Sequence, residues 1–148
     1  MRLLRHDREV HCRDQQSRLA VRDSSPVTPL HTLILPNRHI ADYFELEPAE
    51  RSAIDDLLEE TRRGILARDP EVAGFNIGVN IGAVAGQTIL HCHVHLIPRR
   101  PGDVANPRGG VRAVIPGKAD YRLIASVVDL GRDGTRLSAG MEFPSNRP

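Results

Sequence analysis

Cysteine is scarce in this chain. Cys12 and Cys92 are the only two, they lie far apart, and no C-x-x-C pair occurs. That excludes a disulfide framework and the usual cysteine-based metal motifs. Long apolar runs are missing too. No stretch approaches the roughly 18 to 20 apolar residues of a membrane span, and the charged N-terminus has no apolar segment of signal-peptide length. A charge excess is also missing, because 20 basic residues stand against 19 acidic ones, for a net charge of +1. No overall field therefore marks a nucleic-acid or membrane-surface protein. Lys118 is the only lysine among many arginines. This bias reads as codon composition and carries no functional weight. The expectation is a soluble protein of the reducing cytoplasm, with neither nucleic acid nor membrane as partner.

What is present suits one domain. The chain has 148 residues, 40% of them hydrophobic, enough for one modest core. Residues 1–16 are polar without a period and read as a loose arm. The domain is expected over 17–130, and residues 131–148 form a weakly patterned tail. Arg18 to Arg22 reads as a short strand, followed by turn chemistry at Asp23-Ser24-Ser25-Pro26. His31 to Leu35 reads as a second strand closed by Pro36. Glu47-Pro48-Ala49-Glu50 has the signature of a helix start. Ile54, Leu57, Leu58, Thr61, Ile65 and Leu66 then recur at helical spacing, so the helix should run to about Ala67, before Asp69-Pro70.

Phe75 to Gly82 alternates with period two, which predicts a strand. Ile77, Val79 and Ile81 take one face; Asn76, Gly78, Asn80 and Gly82 take the other. After a turn at Gly86, Thr88 to Ile97 is expected as a further strand. Residues 101–117 should form a Gly- and Pro-rich loop, and Tyr121 to Leu130 a short helix.

The chemistry concentrates in His91-Cys92-His93-Val94-His95. In a strand these three imidazoles share one face, while Leu90, Cys92, Val94 and Leu96 share the other and look like core. Three readings compete. The first is chance clustering on a solvated face. The second is a metal site, since histidines at i and i+2 can chelate one ion; no H-E-x-x-H or C-x-x-C supports it. The third is nucleophilic catalysis, in which a neutral imidazole forms a covalent adduct and its neighbours meet phosphate charge. The Gly and Asn face at 76–82 fits the third, because small residues let a ligand approach the sheet.

Gly86-Gln87-Thr88 and the following His91-Cys92-His93-Val94-His95-Leu96-Ile97 resemble the signature of the histidine triad nucleotide hydrolases and transferases. Cys92 fills the first apolar place. Pro98-Arg99-Arg100-Pro101-Gly102-Asp103 is similar to the branch with the fragile histidine triad protein and the dinucleoside polyphosphate hydrolases. Arg22 to Pro26 and His31 to His39 are similar to the family's first half, so the resemblance spans about Leu19 to Pro116.

The resemblance implies an α+β fold, with an antiparallel sheet of about five strands and one long helix. It also implies a homodimer formed through helix and sheet edge. His93 would attack the α-phosphorus of a nucleotide and form a nucleotidyl-imidazole, from which water releases a nucleoside monophosphate. Its other nitrogen should donate to a carbonyl that fixes the tautomer. His95 would contact the α-phosphate and His91 would support. Gln87 and Thr88 would sit near the scissile bridge, Asn80 would line the phosphate site, and Asp23 would bind ribose hydroxyls. His31 is either a partner of the site or a strand residue.

Alternatives within and beyond the family are a phosphoramidase, a nucleotidyl transferase, a non-catalytic purine-nucleotide binder and a metal-binding protein. Many relatives bind zinc through a C-x-x-C pair and two histidines matching His39 and His91. The pair is missing here, so neither metal nor cofactor is expected. Leu30 stands where the pattern usually has Gly.

Overall fold

A computed structural model describes residues 18–120. Four strands and one long helix organise them. The strands are β1 (Arg18–Arg22), β2 (Thr32–Pro36), β3 (Gly74–Gly78) and β4 (Val94–Arg99), and the helix is α1 (Pro48–Arg68). Short 3-10 turns cover Tyr43–Glu45, Ala83–Ala85 and Gly110–Val114. The strands form one antiparallel sheet in the order β1-β2-β4-β3. This is the expected α+β class with four strands among the described residues, where about five were expected. The expected helix at Tyr121 to Leu130, the arm and the tail lie outside the described residues.

Strand alternation sorts the sheet into two faces. Ile34, Val94 and Leu96 point at α1 and pack with Ile54, Ile65 and Val72. The helix meets them with Ile54, Leu57, Leu58 and Ile65, the spacing read from the sequence. Helix α1 covers β1, β2 and β4 and meets β3 only at Phe75, which packs by Ile65 and over whose ring Arg62 lies. Ile77 therefore remains 51% exposed at the sheet edge.

The helix begins as anticipated. Glu47 precedes Pro48, and the Glu47 N–H donates to Glu50 Oε2 at 2.9 Å. Arg38 grips the same carboxylate with Nε and Nη2, at 2.9 and 2.7 Å. These donors, Arg38 first and the Glu47 N–H second, hold the Glu50 carboxyl down at about 2. Hydrogen bonds from Arg100 and from the Glu71 N–H likewise lower Asp69. A carboxyl lowered by folding stabilises the native state when ionised, and that contribution is lost as pH falls through its folded value. The melting temperature should therefore drop between about pH 5 and about pH 2, and Glu50→Gln should flatten that slope in a thermal melt followed by circular dichroism. An equally steep slope in the variant would dismiss this pair as a source of acid sensitivity.

Two strand expectations need correction. β3 ends at Gly78 rather than Gly82, so Asn80 lies beyond it. β4 begins at Val94 rather than Thr88. Leu90 is 68% exposed and is not core. The reason lies in the partner strand. Continuing the β2–β4 register would bring Pro36 opposite Cys92, and proline has no N–H to give the ladder. Cys92 N–H instead donates to Ile40 O at 2.6 Å, and residues 88–93 run irregularly.

Leu30 adopts φ 69°, the only non-glycine residue with positive φ among the described residues. Its side chain packs beside Ile65 and Leu96. The backbone course that glycine adopts freely is thus kept here at a cost of about 1–2 kcal/mol, with burial of the leucine side chain set against it.

Candidate functional site

The site lies on the sheet face away from α1, at the neighbouring ends of β1, β2 and β4. Pairing decides which residues meet there. Arg22 pairs with Thr32, and the Asp23 N–H donates to His31 O at 3.0 Å, so the two strands stay in register one residue further. Leu33 pairs with His95. Paired residues share a face, and successive odd positions return to it. Asp23, His31 and His95 therefore fall on one face, and the His93 ring, just before β4, joins them by packing 5.0 Å from the His95 ring. Gly78 pairs with His95 from the other side, and a side chain added at Gly78 would meet no atom within 4 Å. The small-residue face anticipated at 76–82 thus leaves room beside His95.

His93 is 8% exposed. Its Nδ1 lies 2.8 Å from the carbonyl oxygen of His91. A carbonyl only accepts, so Nδ1 carries the proton and Nε2 presents a free lone pair. This is the tautomer-fixing bond anticipated from the sequence. His91 is itself tied down, because its Nε2 donates to Pro36 O at 2.9 Å. The His91 side chain thus anchors the carbonyl that orients His93.

His95 stands against His93 with ring centroids 5.0 Å apart, edge to face. Its Nδ1 lies 3.1 Å from His31 Nε2. The opposite nitrogen of His31, Nδ1, lies 3.2 Å from Asp23 Oδ2. Asp23 Oδ1 accepts from Ser25 N–H at 2.8 Å, which builds the turn read from Asp23 to Pro26. His95 Nε2 is buried without a hydrogen-bond partner. Burial lowers the pKa of both rings; His93 and His31 lower His95 further, while Asp23 opposes the shift. His31 is 3% exposed and central to this chain of contacts. Its place on the face could have been found from strand parity, once the β1–β2 register was known.

The remaining residues surround this centre. Gln87 is buried, and both ends of its amide are engaged: Oε1 accepts from Gly82 N–H at 2.8 Å, and Nε2 donates to Ala41 O at 2.9 Å. Its own N–H donates to Gly82 O at 3.1 Å. Gln87 therefore closes the loop 82–87 and ties it to the segment after β2. Asn80 is half-buried just before that loop and Thr88 is exposed just after it. Arg99 is held by Asp103 and Asn76, and Arg100 by Asp69. These two arginines serve the fold around the site.

The zinc arrangement of relatives does not fit here. His39 and His91 are in edge contact at 4.9 Å, but His91 Nε2 is committed to Pro36 and no cysteine pair exists. Cys92 is buried, and its thiol is pushed up by that burial and by Asp42 and Glu50. Asp23, His31 and His95 are a chain rather than a chelate. One ligand atom from each lies within 4.8 Å of the others. The carboxylate and His95 also meet opposite nitrogens of His31.

The HIT domain family model matches residues 7–102, and this chain belongs to that family. A HIT-like protein of Synechococcus elongatus is 37% identical over 82 residues, covering 55% of this chain and 71% of its own length. An asymmetrical bis(5'-nucleosyl)-tetraphosphatase of Schizosaccharomyces pombe is 35% identical over 80 residues, covering 53% of this chain but 42% of that enzyme. A crystal structure of a HIT family protein from Bacillus anthracis superposes with TM-score 0.57 at 39% identity, covering 61% of this chain and 63% of that one. Some members of the family are thus nucleotide hydrolases. Among the described residues, no helix is long and apolar enough to cross a membrane.

Proposed function

We propose that this protein hydrolyses nucleotides at the α-phosphate through a nucleotidyl intermediate on His93. The observation that carries this reading is the bond from His93 Nδ1 to the His91 carbonyl, which leaves Nε2 free to attack. Nε2 forms a bond to the α-phosphorus as the bond to the bridging oxygen breaks, and the leaving phosphate takes the electron pair. Water then attacks phosphorus, the P–Nε2 bond breaks with its pair returning to nitrogen, and a nucleoside monophosphate departs. Displacement at phosphorus depends mainly on positioning and on meeting charge, which suits a site made of tethered rings. Asp23 receives ribose hydroxyls with lone pairs left over from its two present bonds. Asn80, Thr88 and the loop closed by Gln87 border the phosphates.

Dinucleoside polyphosphates are the proposed substrate class, supported by the Pro98 to Asp103 segment and by the yeast tetraphosphatase. A homodimer fits the edge of β3, the outermost strand on its side of the sheet among the described residues, where Ile77 is half exposed. The test is chromatographic. Purified protein is incubated with diadenosine tetraphosphate and, separately, with an AMP-amidate. AMP released mainly from the tetraphosphate supports this reading. Release from the amidate alone makes the protein a phosphoramidase, and release from neither makes it a nucleotide binder.

A further inference from the structure

We propose that the loop 104–120 forms a second subsite, which takes the nucleoside on the far side of the scissile bond. It thereby selects dinucleoside polyphosphates over polyphosphates that carry a single nucleoside. The hydrolysis of these compounds rests on the reading above; their binding to the loop does not.

The segment closes on itself. Asn106 Nδ2 donates to Asp120 Oδ2 at 3.0 Å, and Arg112 Nε donates to Lys118 O at 3.2 Å. A side chain at Gly109 would come within 1.8 Å of Ala119 O, so glycine is what lets the two ends meet. Compact loops of this kind frequently carry function.

Sheet parity places the loop on the site face. Asn76 pairs with Ile97 and Gly78 with His95, so Asn76 shares the face of His95. The 3-10 turn Gly110–Val114 packs on β3, and a side chain at Gly110 would lie 3.2 Å from Asn76 Nδ2. Arg99 fixes the foot of this contact, donating to Asn76 Oδ1 at 2.6 Å and to Asp103 Oδ2 at 2.7 Å. Asn76 and Gly78 are two strand residues apart, about 6.6 Å. The open space over Gly78 therefore lies between His95 and the loop.

The surface of the turn is apolar. Side chains three apart eclipse in a 3-10 turn. Gly110 and Ala113 make the row that starts on Asn76. The other two rows carry Val111 with Val114, and Arg112 with Ile115. Val111, Val114 and Ile115 are all exposed, Val114 at 73%. Single exposed aliphatic residues are ordinary, but three within five positions beside a substrate face make a patch that suits a ligand. Arg108 and Arg112 add positive charge to the same segment. A nucleobase brings an apolar face with phosphates attached, which matches both features. A bare polyphosphate tail would match the arginines and leave the aliphatic patch unused. The HIT family match also stops at residue 102, before this loop. Attack on the α-phosphorus thus uses residues of the shared domain, and the departing group is met by a segment beyond it.

The test compares diadenosine tetraphosphate with adenosine tetraphosphate, which has as many phosphates but no second nucleoside. The unaltered protein should prefer the dinucleotide by roughly tenfold or more in kcat/KM, since burying a few methyl groups is worth about a factor of ten. The double variant Val114→Ser, Ile115→Ser should bring that ratio close to one. A ratio near one in the unaltered protein overturns the proposal whether or not the variant folds. A folded variant that keeps the preference, because it loses activity equally on both substrates or on neither, overturns it as well. If the unaltered protein releases no AMP from either compound, the hydrolytic reading falls alone. Calorimetric affinities of the same two compounds then decide the subsite: tighter binding of the dinucleotide, lost in the variant, supports it, and equal binding removes it.

Discussion

Replacing His93 with alanine is expected to abolish release of nucleoside monophosphate while nucleotide binding remains measurable. Removal of the nucleophile from a covalent enzyme costs on the order of 10⁶ in turnover, because the remaining groups have no intermediate to act on. Binding survives because ribose and phosphate contacts are assigned to other residues. Steady-state assays with diadenosine tetraphosphate and calorimetric titration with AMP check the two halves separately. Turnover within tenfold of the unaltered protein would remove His93 from the mechanism. Loss of AMP binding together with activity would instead mean that the ring supports the site's shape. The backbone argues against that second outcome, since His91 and Cys92 bond to Pro36 and Ile40 independently of the His93 ring.

The largest stability effect is expected at Leu96. This residue is fully buried, 0% exposed, and packs with Ile65 and Val72 beneath α1. It also joins the site strand to both neighbours, pairing with Thr32 on one side and Ile77 on the other. Leu96→Ala should cost about 2–5 kcal/mol, the sum of lost transfer energy and an incompletely closed cavity. Against a total stability of roughly 5–15 kcal/mol, that is a large share. Urea unfolding should show an earlier midpoint with an unchanged slope. A cost below about 1 kcal/mol would mean that the cavity collapses freely, and that this strand is not the centre of the core. Because His95 precedes Leu96, a partly loosened strand should also weaken its hold on His31.

Much of the fold was legible in local pattern. Ile54, Leu57, Leu58 and Ile65 announced the helix because a 3.6-residue period reflects one buried face. Arg18 to Arg22 was placed with its observed bounds, and the chemistry of Pro48 and Glu50 marked the start of α1. The His91 to His95 strand was not legible, although its alternation is regular. A pattern of side chains says nothing about whether the partner strand still has donors, and Pro36 has none. Leu90 was misplaced for the same reason. Ile77 sits on the helix side of the sheet but beyond the helix's reach, which no local pattern records.

The sequence by itself determined that a histidine triad motif stands at 91–95. It also determined that His93 would need a carbonyl to hold its proton, because those follow from residue types and a specific motif. Only the tertiary structure decided which groups gather beside His93. Asp23 follows β1, His31 precedes β2 and His95 lies in β4, and their 3.1 and 3.2 Å contacts depend on sheet register. Gln87 spans from Gly82 to Ala41, across 46 residues of sequence in the latter contact. Hydrogen bonds of this kind act over about 3 Å in space, whereas a sequence orders residues only along the chain.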